Sequence, residues 1–180
     1  MELIDELHRN NIGVIMDYVP IHFVPDGFAL ANFDGTRLYE YTASDIAYSQ
    51  WGSCNFDFEK NEVRSFLQSA ANFWVDLFHV DGLRVDAVSN AIYWMGNSDR
   101  GVNMGGMTFI RGLNVGIHQR HPGVMMIAED SSSYPKVTAR AQYDGLEFDY
   151  KWDLGWMNDT LKYFAIAPYD RKDHHNMLTF

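Results

Sequence analysis

The stretch that decides the fold is Asp81-Gly82-Leu83-Arg84-Val85-Asp86-Ala87-Val88. Its short apolar run reads as a strand buried on both faces, and Asp86 stands just past the end. A carboxylate there is poorly suited to the core and well placed for chemistry. A second run, Val124-Met125-Met126-Ile127-Ala128, ends the same way in Glu129. A third, Gly13-Val14-Ile15-Met16-Asp17-Tyr18-Val19-Pro20, carries Asp17 and is stopped by its proline. Any one of these acids could be a helix cap or a surface residue; all of them at corresponding places point to chemistry. Two such carboxylates on successive parallel strands would face one another across a cleft, as glycoside chemistry needs.

Arg84 adds to this, because residues 84 and 86 on one strand point to the same face. An inward guanidinium beside Asp86 would hold that carboxylate ionised by Coulomb attraction, as a nucleophile requires. Asp81 reads as the end of the preceding loop. His22, just past Pro20, either hydrogen-bonds a sugar hydroxyl or is an ordinary loop histidine.

The elements around these strands alternate. Residues 1–10 place apolar positions 3, 4 and 7 on one helical face without an N-cap residue, as in a chain cut into an element. Residues 21 to about 60 are rich in Gly, Asp, Asn and aromatics, and a loop of that length in a compact domain is expected to be functional. Glu62 to Leu77 has the spacing of an amphipathic helix, with Val63, Phe66, Leu67, Ala70, Ala71 and Trp74 on it. A loop at 96–106 leads to a helix carrying Ile110, Leu113 and Ile117, ended by His121-Pro122-Gly123. Residues 145–152 form a weaker strand candidate, and about 156–164 a last helix. Such alternation predicts an α/β fold with a parallel sheet of βαβ units. Acids after strands, joined to long βα loops, favour a (β/α)₈ barrel over an open sheet. No G-x-G-x-x-G opens a helix, which weakens a dinucleotide-binding reading. A whole barrel needs about 250 residues, so these 180 residues read as part of one, a single catalytic-domain fragment over 1–180.

A hydrophobic share of 47% and a charged share of 21% are ordinary globular usage. The aromatic share, 15%, fits core packing and also suits a protein that offers flat faces to sugars. The formal net charge of −10 argues against nucleic acid and against a membrane surface as partner. One cysteine, Cys54, permits no intrachain disulfide, and with no secretory segment in view a cytoplasmic setting is expected. Cys54 itself reads as a small semi-buried residue.

The local strings carry a family resemblance. Asp17-Tyr18-Val19-Pro20-Ile21-His22, Gly82-Leu83-Arg84-Val85-Asp86 and Ala128-Glu129-Asp130-Ser131 resemble the first three conserved regions of the α-amylase superfamily. Phe33-Asp34-Gly35-Thr36, Trp51-Gly52, Asn61-Glu62-Val63-Arg64, Phe148-Asp149-Tyr150-Lys151-Trp152 and Gly155-Trp156-Met157-Asn158 are similar, more narrowly, to bacterial 1,4-α-glucan (glycogen) branching enzymes. The resemblance runs nearly end to end and implies a central part of the catalytic barrel, roughly strands 3 to 6. It implies Asp86 as nucleophile, Glu129 as general acid/base, Arg84 as the orienting arginine, and Asp17 and His22 as lining the donor sugar site. It implies an α-1,4-glucan substrate, transfer to an α-1,6 branch with retention, no cofactor and no metal. Retention implies carboxyl groups about 5–5.5 Å apart. Superfamily members that bind structural calcium often carry Asn where this chain has Ile21, so no such ion is expected there. Asn90 stands where hydrolysing relatives commonly have Lys or His, which favours transfer. A hydrolase of the same superfamily and a non-catalytic glucan-binding module are the alternatives. The superfamily's fourth region, a His-Asp pair with the third carboxylate, has no counterpart in these residues. The chain alone is therefore expected to be inactive and, with open strand edges, to self-associate.

Overall fold

A computed structural model of the chain describes residues 1–178. Helix α1 (Glu2–Arg9) leads into strand β1 (Ile15–Tyr18), and a long excursion follows that contains β2 (His22–Phe23) and β3 (Cys54–Asn55). Helix α2 (Asn61–Phe78), strand β4 (Gly82–Val85), the short α3 (Val88–Ile92) and α4 (Met104–Arg120) come next. Strands β5 (Met125–Glu129) and β6 (Tyr150–Trp152) and helix α5 (Leu154–Ala165) complete it. Strands β1, β4, β5 and β6 pair in that order, all parallel, in one four-stranded sheet. This is the partial (β/α)₈ barrel expected from the alternation.

Register decides which residues share a face. Asp17 pairs with Arg84, Leu83 with Met126, Val85 with Ala128, and Glu129 with Trp152. Side chains alternate along a strand, so Leu83, Val85, Met126 and Ala128 point one way, and each is 0% exposed. They pack with Val63, Leu67, Ala71 and Val75 of α2, four residues apart along one stripe, and with Phe109, Ile110, Leu113 and Ile117 of α4. Burying each such Leu, Val or Ile stabilises the fold by about 1.5–3 kcal/mol. The opposite face carries Asp17, Arg84, Ile127, Glu129 and Trp152.

At the entry to the sheet, Asp81 Oδ2 accepts the Val14 N–H at 2.6 Å and lies 2.9 Å from His8 Nε2. It thus ties α1 and β1 to the start of β4, as well as ending its loop. Burial alone would raise the Asp81 carboxyl; the Val14 N–H and the His8 ring outweigh it and hold it below the usual carboxylate range. On the helix side, Asp130 is fully buried, 2.9 Å from Lys151 Nζ, and accepts from the backbone N–H and hydroxyl of Ser132.

Helix α4 starts earlier than the sequence suggested, at Met104, because the Asn103 side chain caps it by accepting the Gly106 N–H at 3.0 Å. Gly106 is required: a Cβ there would stand 2.1 Å from the Ala91 carbonyl oxygen of α3. Strand β6 is shorter than 145–152. The N–H groups of residues 145–148 bond back to residues 136–140 of the preceding loop, which removes them from the ladder. The 21–60 segment holds the antiparallel ribbon β2–β3, where Cys54 is fully buried, not semi-buried. Helix α3, directly after Asp86 and Ala87, had no sequence signal.

Gly106→Ala should displace α3 and cost about 3 kcal/mol, read by urea unfolding; an unchanged midpoint would contradict the packing. Lys151→Ala leaves the Asp130 carboxylate buried without a counter-charge and should cost about 3 kcal/mol. The Asp81 contribution is present above the unfolded-state carboxyl value of about 3.9 and disappears as pH falls through its lower folded value. Asp81→Asn should therefore be less stable than the parent at pH 7, with the difference shrinking as pH falls below about 3.9, and a penalty independent of pH would refute this.

Candidate active site

The site forms where the inner face of the sheet meets the C-terminal ends of its strands. Arg84, on β4, is mostly buried, and its Nη1 donates to Asp17 Oδ1 and to Asp86 Oδ1, each at 2.7 Å. Its Nη2 lies 3.9 Å from Glu129 Oε2, so one guanidinium stands among three carboxylates. Burial works against the Arg84 charge, but the hydrogen bonds and charges of Asp17 and Asp86 outweigh it and raise its pKa above the ordinary arginine value. The Arg84 guanidinium carbon also sits 4.6 Å from the ring centroid of Trp152, a cation–π contact across β5.

Asp86 is the first residue past β4, and its N–H still bonds the Tyr18 carbonyl at 2.9 Å. Ala87 then turns left-handed, with φ 50° and ψ 40°. A non-glycine residue there costs about 1–3 kcal/mol, and such strain concentrates at functional sites. The turn aims the Ala87 N–H at Glu129 Oε2, 2.7 Å away. Glu129 is thereby held on one oxygen, beside the residue that follows Asp86. His22, on β2, puts Nε2 3.3 Å from Asp86 Oδ2 and Nδ1 2.9 Å from Ser53 Oγ. The Trp51 ring covers it at 5.1 Å between centroids.

The five residues singled out in the sequence, Asp17, His22, Arg84, Asp86 and Glu129, therefore come together. Two sit slightly differently from expectation: Asp17 lies inside β1, and Glu129 is the last residue of β5. Asp17 is 64% exposed at its side chain, whereas Asp86 and Glu129 are 25% and 21% exposed. Four neighbours were missed. Trp152 was discoverable, since alternation puts it on the Glu129 face. Trp51 and Ser53 lie in irregular chain whose path no periodicity gives, and nothing about an alanine announces the left-handed turn at 87.

A cleft of about 410 Å³, lined by Tyr93, Gly96, Asn97, Ser98 and Ser131 to Ser133, includes the residues that follow Glu129 and Asp130 in sequence. Hydroxyls, an amide and one ring suit a polyhydroxylated ligand. Asn90 is buried and lines a small cavity of about 10 Å³ with Tyr41, Asn55 and Asn103. Ile21 is buried in the core and offers no ligand atom. Among the described residues, no group of three His, Cys, Asp or Glu side chains is arranged to hold a metal ion.

No family model matches the chain. It is 48% identical over 180 residues to a 1,4-alpha-glucan branching enzyme of Fusobacterium nucleatum, covering 100% of this chain and 29% of that protein. It is 46% identical over 181 residues to the Bacillus subtilis 1,4-alpha-glucan branching enzyme, again 100% of this chain and 29% of the relative. The Halothermothrix orenii branching enzyme is 49% identical over 190 residues, 100% and 30% of the two chains. In three dimensions the chain is similar to an alpha-amylase from Geobacillus thermoleovorans solved with acarbose. There the TM-score is 0.62 at 17% identity, over 88% of this chain and 34% of that one. An Anoxybacillus alpha-amylase gives a TM-score of 0.66 at 15% identity, over 98% and 39%. These two share the fold. The chain spans about 30% of the length of the curated relatives it matches, and over its whole length it is similar, at nearly half identity, to one part of 1,4-alpha-glucan branching enzymes.

Proposed function

We propose that residues 1–180 are part of the catalytic (β/α)₈-barrel domain of an enzyme that cleaves α-1,4-glucan and re-forms α-1,6 branches by a retaining double displacement. The observation that carries the reading is the Arg84 bridge between Asp17 and Asp86, with Glu129 held one residue further on. Arg84 Nη1 holds Asp86 Oδ1 at 2.7 Å and so fixes the carboxylate's orientation, which suits attack on an anomeric carbon. Glu129 Oε2 is occupied by the Ala87 N–H, so Oε1 is the oxygen from which a proton passes to the leaving glucan oxygen. As the C1–oxygen bond to the leaving chain breaks, a glycosyl ester forms on Asp86. The Glu129 carboxylate then takes the proton of an incoming glucan 6-hydroxyl, whose oxygen displaces Asp86 from C1 and returns both carboxyls to their starting states.

Asp17 and His22 line the donor site in this reading, and Arg84 binds through Asp86. Glycogen or amylose-like chains are the substrate; nucleic acid and membrane are not partners. Among the described residues no helix is long and apolar enough to cross a membrane. The acidic chain and its single cysteine suit a cytoplasmic enzyme.

The test grafts these 180 residues in place of the matching stretch of the Bacillus subtilis relative. The chimera should lower the iodine colour of amylose without new reducing ends. Asp86→Ala should abolish this, and Glu129→Gln should slow it by about 10²–10⁴-fold. Reducing ends rising in step with colour loss would make the chain a hydrolase; glucan binding unchanged by Asp86→Ala, without turnover in the parent, would make it a binding module.

A further inference from the structure

The loop between the two ribbon strands carries a chain of hydrogen-bond contacts that ends on Asp86. Ser49 is buried, and its Oγ accepts the N–H of Trp51 at 3.2 Å and of Ser53 at 3.3 Å. A hydroxyl has two acceptor positions and one proton. With both positions taken, the Ser49 proton goes to Ser53 Oγ, 2.6 Å away. Ser53 then has one proton to give, and His22 Nδ1 lies 2.9 Å from its oxygen. A neutral imidazole holds a proton on one nitrogen and a lone pair on the other. With Nδ1 accepting from Ser53, the N–H lies on Nε2, 3.3 Å from Asp86 Oδ2, and an ionised carboxylate oxygen can only accept.

We propose that Ser49 and Ser53 are positioning residues that lock His22 into its Nε2–H tautomer, so that the Asp86 carboxylate is held by a neutral donor on Oδ2 and by the Arg84 cation on Oδ1. The opposite tautomer would set the His22 lone pair against Oδ2, acceptor against acceptor, and turn the carboxylate away from the geometry Arg84 sets. Second-layer hydrogen bonds of this kind fix ring orientation and tautomer in other histidine sites. The catalytic importance of the lock rests on the reading of Asp86 as nucleophile; the tautomer itself does not.

The direct test uses the chimera, with these 180 residues grafted into the Bacillus subtilis relative and labelled with ¹⁵N-histidine, at pH 8, above the ordinary histidine range, with the His22 resonances assigned by their loss in His22→Gln. His22 should show an unprotonated Nδ1 and a protonated Nε2. Ser53→Ala should convert it to a tautomer mixture, Ser49→Ala should do so in part, and Ser53→Thr, which keeps the hydroxyl, should restore the parent pattern. A protonated Nδ1 in the parent overturns the proposal even if no variant folds, as does an identical pattern in Ser53→Ala. In the grafted chimera, Ser53→Ala should lower kcat by about tenfold with KM within twofold, and Ser53→Thr should recover it. If the chimera transfers no glucan while the nitrogen pattern is as stated, the lock stands and the branching reading fails.

Discussion

The interaction on which the rest depends is the Arg84 guanidinium. A mostly buried cation without partners would cost several kcal/mol, and here its partners come from two places in the chain. Asp17 is its register neighbour on β1, and Asp86 is two residues further along its own strand direction. Both bonds use Nη1, and the one to Asp17 holds only when β1 and β4 are paired as they are. The apolar residues on the helix side demand the same pairing, because Leu83 and Val85 are buried in the same register. Electrostatics on one face and packing on the other thus specify one alignment.

From Asp86 onward the dependence runs through backbone. The left-handed turn at Ala87 is offset by what it makes possible: its N–H meets Glu129, and α3 starts at once with Val88, Ala91 and Ile92 each 0% exposed. Helix α3 can sit there only because α4 approaches it at Gly106, where no Cβ fits. A glycine in the helix layer is in this way part of what aims the two acids.

Some of this was legible in the sequence, for identifiable reasons. The strands and helices α2 and α4 announce themselves because one-sided burial imposes periodicity, as in Val63, Leu67, Ala71 and Val75. The acids announce themselves by breaking apolar runs. The ribbon β2–β3 does not, since each of its strands has two residues and no period can be read from two. Residues 145–149 look like strand from their alternation, yet their N–H groups bond mostly to the loop before them; hydrogen-bond partners, not pattern, decided. Ser49 and Ser53 were invisible because serine signals nothing until its partners are known. The family resemblance implied the donor-site roles proposed for Asp17 and His22, which periodicity alone left among several readings.

The alternation of faces has a consequence for how such a stretch can change over time. Replacing a side chain in β4 alters either the helix layer or the cleft, and each can be repaired separately. Inserting or deleting one residue between Gly82 and Asp86 exchanges the two sets together. Arg84 would turn into the apolar layer now filled by Leu83 and Val85, and a leucine or valine would face Asp17. Length within these short strands is therefore held more tightly than composition.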